Sequence, residues 1–306
     1  MSSTPSWTLA SVTSEASAAT DPAAGRSFWA QAARRFGRHR LAVAGLMVMA
    51  GLSGAALLAP VLAPYDPAAL DPLAFAQPPS LAHPLGTDTI GRDVLSRVLH
   101  GARVSLAVGV AAVTINVVLG VMVGAVAGFA GGMVDAALMR LSDIVLAFPS
   151  LVLVLVLVAI LGPGLGNVIL VLGLMGWPQI ARLVRAEVLR LEAQEFVAAA
   201  RAVGVPEHRI LLRHLLPNAL PPVLVAATFG TAQAIIAEAS LSFLGMGVQP
   251  PTPSWGNLLT EAQSMAVLEG MPWLWAPPGL LIVLAVLAIN FVGDGLRDAL
   301  DPRTRL

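Results

Sequence analysis

Long apolar runs separated by short polar segments dominate this chain, and within the runs the apolar residues are continuous rather than alternating. A helix crossing the hydrocarbon core needs ~20 predominantly apolar residues, whereas a membrane barrel strand would alternate apolar and polar positions. The pattern therefore predicts an all-α, polytopic membrane protein with about six transmembrane helices. The runs lie at Leu41 to Ala63, Val104 to Ala130, Ile144 to Leu161, Val168 to Val184, Leu220 to Gly245 and Trp275 to Val292. The second carries Gly120, Gly124 and Gly128, a small-xxx-small face that suits close packing against a neighbouring helix.

The intervening segments divide the chain into a tail over 1–40, a first span with a long outer loop over 41–100, and a core membrane domain over 101–306. Residues 1–25 are rich in Ser, Thr, Ala and Pro and read as a mobile tail. The first apolar run starts too far from Met1 and is too long for a cleaved signal peptide, so it reads as a retained span.

Composition agrees. Hydrophobic residues make up 57% of the chain and charged residues 12%, against roughly 25% charged in soluble domains; the mean hydropathy is +0.79. Cysteine is absent, which removes disulfides, thiolate nucleophiles and cysteine-based metal sites. The formal net charge of +0 argues against a nucleic-acid-binding surface.

The distribution of charge is more informative than its total. All basic residues are arginine, and cytoplasmic flanks hold an excess of positive charge. With the amino terminus inside, the cytoplasmic side receives Arg26 to Arg40, Arg140, Arg182 to Arg213, and Arg297, Arg303 and Arg305. The outer side keeps Arg92, Arg97 and Arg103, and its last loop, Gly247 to Trp273, has none. Both termini are thus expected in the cytoplasm. Trp255, Trp273 and Trp275 in and beside that loop are expected in the interfacial aromatic belt.

The longest cytoplasmic connection, between spans four and five, contains EFVAAARAVGVPEHRILLRHLLPN. It predicts two short helices: an alanine-rich first one, a left-handed cap at Gly204, a restart at Pro206, and a second helix from Glu207 to Leu216 that Pro217 stops. An amphipathic anchor and a docking element for another protein are both open on physics alone.

Ala199, Ala200, Gly204, Leu216 and Pro217 resemble, at matching spacing, the cytoplasmic signature of membrane subunits of binding-protein-dependent ATP-binding-cassette importers. The signature reads Glu-Ala-Ala, three residues, Gly, nine residues, Ile-x-Leu-Pro; this chain has Ala198 at its Glu and His214 at its Ile. HPLGTDTIGRDVLSRVLHGARVSL, MRLSDIVLAFP and EASLSFLGMGVQPPTPSWG are similar to stretches of dipeptide and oligopeptide permeases, and the long outer loop after the first span resembles their C-type subunit. The resemblance implies a permease subunit in a bacterial inner membrane, forming half of a pathway for short peptides. Its implied partners are a homologous second permease subunit, two ATPase subunits or domains that hold ATP and Mg, an extracytoplasmic solute-binding protein and the lipid bilayer. It makes the cytoplasmic segment a coupling helix, with Glu195, Ala198, Ala199, Ala200, Arg201, Gly204, Pro206, His214, Leu216 and Pro217 as the coupling residues. Nickel chelates, glutathione or another small solute remain alternative cargoes.

The chain has no Gly-x-x-x-x-Gly-Lys loop, so the ATPase must be another polypeptide. A membrane-embedded enzyme is disfavoured because no acid–base pair or nucleophile set is visible. A stand-alone channel would leave the cytoplasmic segment without a role. His39, His83, His100, His208 and His214 lack metal-ligand spacing, so no metal and no catalytic residue is assigned. Glu238, inside an apolar run, either lines the substrate path or makes a structural hydrogen bond. Arg140 and Asp143, three apart, are expected to pair locally.

Overall fold

The computed structural model describes residues 28–301; the amino-terminal tail and Arg26, Arg303 and Arg305 lie outside them. The helices are α1 (Phe28–Phe36), α2 (Arg40–Leu57), α3 (Ala59–Leu62), α4 (Val94–Ala130), α5 (Gly132–Leu146), α6 (Ser150–Leu161), α7 (Leu165–Met175), α8 (Trp177–Glu192), α9 (Glu195–Ala202), α10 (Glu207–Ile210), α11 (Leu216–Phe243), α12 (Trp255–Leu258), α13 (Met265–Gly270) and α14 (Pro272–Leu300). Among the described residues five stretches are long and apolar enough to cross a membrane, or up to six if the bent pair α5 and α6 is one span. Met47, Leu57, Ile160, Leu280 and Val283 are exposed on the helix surfaces, as lipid rather than water would require.

Polar caps extend α4 beyond its apolar run. Asp93 Oδ2 accepts the Ser96 N–H at 2.7 Å and so starts the helix at Val94. The Asp93 Oδ1 meets His83 Nδ1 at 2.9 Å. Asp88 closes the preceding turn by accepting the Arg92 N–H at 2.8 Å, and Arg92 Nε at 2.5 Å. The Gly-Thr-Asp and Gly-Arg-Asp pairs thus fold the outer loop onto the end of α4, and α4 runs through residues 100 and 101. Glu261, 3.8 Å from Arg92, joins this cluster from the other outer segment. Burial and then the Asp88 charge push its carboxyl above the ordinary range, against the pull of Arg92 and Arg97.

The predicted span from Ile144 to Leu161 is not one helix. Between α5 and α6 the chain bends by 86° over Ala147, Phe148 and Pro149, because a proline cannot continue the ladder and biases the residue before it out of helical geometry.

Pro217 does not stop a helix either. A π turn over Leu211–Leu215 leads straight into α11, with Pro217 directly after it, where the wider turn accommodates a residue that cannot donate to the ladder. Residues 207 to 243 form one continuous stretch.

The interior is built around α4, which packs on α7, α8 and α11, while α14 packs on α1, α2 and α11. One apolar cluster joins Val108 and Ala112 of α4 to Val154 and Val158 of α6, Val168 and Val171 of α7, and Leu241 of α11. A second joins Ala125 to Val184, Val188, Val197, Ile210 and Leu215, and so ties the segment expected in the cytoplasm to the membrane helices.

Candidate functional site

The segment expected in the cytoplasm is a helix, a turn and a helix, with one face buried. Val197, Ile210 and Leu215 are fully buried against Val184, Val188 and Leu191 of α8. The opposite face leaves Phe196, Val203 and Leu212 exposed, with Ala198 and Ala199 between them. Glu195 opens α9, where a carboxylate complements the positive end of the helix dipole.

Gly204 ends the first helix at φ +82°, in the left-handed region that glycine enters without a side-chain clash. The Val205 N–H donates to the Ala200 carbonyl at 3.1 Å and the Gly204 N–H to that of Arg201 at 3.0 Å, closing the turn. Pro206 caps α10, His214 is half-buried in the π turn, and its carbonyl accepts the Asn218 side-chain amide at 2.6 Å.

Arg201 links the parts of this unit from its exposed surface. Its Nε donates to Glu207 Oε1 at 3.0 Å and its Nη2 to Glu192 Oε1 at 2.5 Å, so one guanidinium links the end of α8, α9 and α10. Both hydrogen bonds hold its pKa above the usual arginine value. Ala198, standing where the signature has Glu, takes no part in this clamp, whose acids are Glu192 and Glu207.

Two further ion pairs brace α5 against α8. Asp135 accepts a two-pronged contact from Arg185, Nε at 2.5 Å and Nη2 at 2.6 Å. Asp143 is paired with Arg182. The expected local pair is secondary, since Arg140 lies 4.0 Å from Asp143; sequence spacing displays neighbours on one helix and is blind to a partner on another.

Glu238 is completely buried at the outer end of α11. Its Oε1 accepts the Ser242 hydroxyl at 2.7 Å and its Oε2 the Ser105 hydroxyl of α4 at 3.0 Å. Those hydroxyls accept in turn: Ser242 from the Val248 N–H and Ser105 from the Trp255 N–H, both at 3.1 Å. Trp255 therefore does not belong to an interfacial belt. It is 0% exposed, and its indole N–H reaches the Val98 carbonyl at 3.2 Å. Trp273 and Trp275 instead hold the outer segments, donating to the carbonyls of Thr87 at 3.3 Å and Leu268 at 3.2 Å.

A carboxylate so surrounded is a structural node, and this sets an expected result. Glu238→Leu should destabilise the detergent-purified protein by about 1–3 kcal/mol, read as a lowered thermal midpoint, because it strands two hydroxyls in the interior. Glu238→Gln should leave the set of transported solutes unchanged when the binding protein is unchanged. A shift in that set would make Glu238 a substrate residue.

A cavity of about 430 Å³ lies elsewhere, bounded by α4, α5, α6, α7, α8 and α11. Glu238 is not on its wall; Asn116, Gln179 and Gln233 are.

The fold is a polytopic bundle of long apolar helices with a packed helix-turn-helix at one end. The chain belongs to the family described as the binding-protein-dependent transport system inner membrane component, which it matches over residues 120–306. Residues 27–79 match the N-terminal TM domain of oligopeptide transport permease C. Relatives include a putative peptide permease protein of Brucella suis biovar 1, 45% identical over 90% of this chain and 92% of that one. The dipeptide transport system permease protein DppC of Alkalihalophilus pseudofirmus is 41% identical over 90% of each chain, and the oligopeptide transport system permease protein OppC of Bacillus subtilis is 40% identical over 91% of each. Among solved structures, a chain of the MetNI methionine ABC transporter in an inward-facing form is similar in fold, with a TM-score of 0.55 at 22% identity over 67% of this chain and 96% of that one.

Proposed function

We propose that this chain is the C-type membrane subunit of an ATP-driven importer of short peptides, contributing half of the translocation pathway. The observation that carries the reading is the cytoplasmic segment from Glu195 to Pro217. One face is locked onto α8 and α11, while the other presents Phe196, Val203 and Leu212 to a partner. That partner is a cytoplasmic ATP-binding-cassette subunit or domain, two of which hold ATP and Mg, so this chain binds no cofactor of its own. A homologous second permease subunit completes the pathway, and an extracytoplasmic solute-binding protein delivers cargo. The assembly lies in the bacterial cytoplasmic membrane, with both termini of this chain inside. The dipeptide and oligopeptide names of the relatives support a peptide cargo over a nickel chelate or glutathione.

The test is uptake in proteoliposomes that hold the complete transporter and its binding protein, with labelled dipeptide, tripeptide, glutathione and nickel chelate offered in turn. ATP-dependent accumulation of the peptides is the expected result; accumulation of only one of the other solutes would overturn the cargo. Orientation is checked in the same system, since the chain has no cysteine of its own. Cysteines replacing the exposed Leu81 and Thr252 should react with an impermeant thiol reagent from outside, and one replacing the exposed Val203 should not. Ser254 is unsuitable as a reporter because it is buried and caps α12. The reverse labelling would invert the topology.

A further inference from the structure

Two helix breaks and three side-chain amides from three helices meet at the cavity between α4 and α11. One is the bend over Ala147 to Pro149; the other is a one-residue interruption at Gly176, whose backbone stays near helical geometry within the single span from Leu165 to Glu192, and Phe148 and Gly176 both line the cavity. Non-helical backbone at membrane depth is tolerated where it is buried in protein or lines a water-filled cavity. Discontinuous helices that open onto one cavity are also a recurring way for transporters to build a solute site.

The three amides line the same cavity. Asn116, Gln179 and Gln233 lie roughly 13 to 17 residues, or ~20–25 Å, from Ala130 of α4, Glu192 of α8 and Leu216 of α11, and the end of α5 lies at a similar distance from Gly132. These distances put all three well inside a hydrocarbon core ~30 Å thick, spread as a band along the cavity rather than level with one another: Gly120 of α4 faces Ile180 of α8, while Gly109 of α4 faces Ile235 of α11. Asn116 Oδ1 accepts the Gly176 N–H at 3.0 Å, which fixes its carboxamide at the break and leaves its NH₂ as a donor. Neither Gln179 nor Gln233 makes a side-chain hydrogen bond to another described residue, and both are exposed. An unpaired amide facing hydrocarbon would be costly. In the assembled transporter they need a polar partner, which water, a solute or the second subunit supplies.

We propose that this band is a main-chain subsite: Gln179 and Gln233, supported by Asn116, hydrogen-bond the amide groups of a peptide in transit. A primary carboxamide carries two donors and an acceptor, the complement of the C=O and N–H of a peptide unit. Every peptide presents that pair whatever its sequence. No charged side chain lines the cavity, so charged termini are not gripped and the peptide can leave, which any conduit requires. Apart from the Ser150 hydroxyl, the side chains on the rest of the wall, including Val154, Leu172 and Phe148, are apolar and accept varied side chains without selecting among them. This inference rests on the peptide cargo proposed above.

The test uses the complete transporter in proteoliposomes with its natural binding protein, saturated with a labelled dipeptide, and counts peptide delivered and ATP hydrolysed in parallel. Gln179→Leu combined with Gln233→Leu is expected to lower peptide delivered per ATP about tenfold, by removing the hydrogen bonds of two amides. Gln179→Asn with Gln233→Asn, which keeps both carboxamides, should retain most of the transport. Undiminished delivery by the leucine pair overturns the subsite. Absence of peptide delivery by the unaltered transporter overturns instead the peptide cargo. If the leucine pair does not assemble, Gln233→Cys in this cysteine-free chain provides an independent reading. A small charged thiol reagent should label it during turnover, and peptide-loaded binding protein should slow that labelling. Labelling that peptide does not slow, or no labelling, overturns the proposal.

Discussion

Gly124→Leu is expected to leave no folded chain in the membrane, and Gly124→Ala to lower the thermal midpoint of the detergent-purified protein. Along α4, Gly120, Gly124 and Gly128 face Ile180, Val184 and Val188 of α8 in matching steps of four. A Cβ on Gly124 would lie 2.8 Å from the Cβ of Val184 and closer still to the Ala181 carbonyl; one on Gly128 would lie 3.0 Å from the Cβ of Val188. The obstacle at Gly124 is partly backbone, which cannot rotate aside, so accommodating even a methyl requires the helices to separate. Overpacking of this kind costs about 1–3 kcal/mol or more, and here it would also loosen the ion pairs from Arg182 and Arg185 to α5. Gly51→Leu is the control, because its Cβ meets nothing within 4 Å. Size-exclusion profiles of detergent extracts read the outcome, and a monodisperse Gly124→Leu protein at normal yield would show that this interface is not tight.

Arg201→Glu should abolish uptake while the chain stays in the membrane. The substitution replaces a guanidinium that joins Glu192 and Glu207 with a third carboxylate beside them, so three like charges repel where two attractions held α9 on α8 and α10. The exposed face of the segment is then presented at the wrong angle to the ATPase. Glu207→Arg added to Arg201→Glu restores one opposite-charge pair and should recover part of the uptake and the co-purification of the ATPase. A single Arg201→Glu variant with normal uptake, or a double variant no better than the single one, would show that the clamp does not set the geometry of docking.

What the sequence made legible was mostly what one helix can show by itself. Six apolar runs mark the membrane stretches because continuous hydrophobicity needs no partner to be recognised. The Gly204 cap is equally local, since its left-handed turn is written in the residue type. The edges were hidden where polar side chains served the helix itself: α4 begins ten residues ahead of its apolar run because Asp93 caps it, with Arg97, His100 and Arg103 carried inside. Pro149 and Pro217 look alike in sequence, yet one accompanies a sharp bend and the other follows a π turn in an unbroken stretch, because neighbouring packing decides which N–H is missed. The Glu238 node was beyond reach, since Ser105 and Trp255 stand 133 and 150 positions apart from their partners Glu238 and Ser105. The amide band likewise scatters over three helices, and no periodicity links Asn116 to Gln179 or Gln233.

The unbroken stretch from Glu207 to Phe243 has a mechanical consequence. At 37 residues it is a rod ~55 Å long that begins in the segment proposed to dock the ATPase and ends beside Glu238, which is joined through Ser105 to α4 and Trp255. Such a rod cannot absorb a displacement at one end by flexing a loop, so a push on α10 must reappear as tilt. A rotation of about 5° about its middle carries each tip ~2–3 Å. The π turn and the prolines at 221 and 222 are the places where it can yield, all within its inner half. The outer half, from Val223 past Gln233 to the pinned Glu238, is the stiffer part, so whatever share of a push on α10 is not taken up at those inner points is carried to Gln233 on the cavity wall.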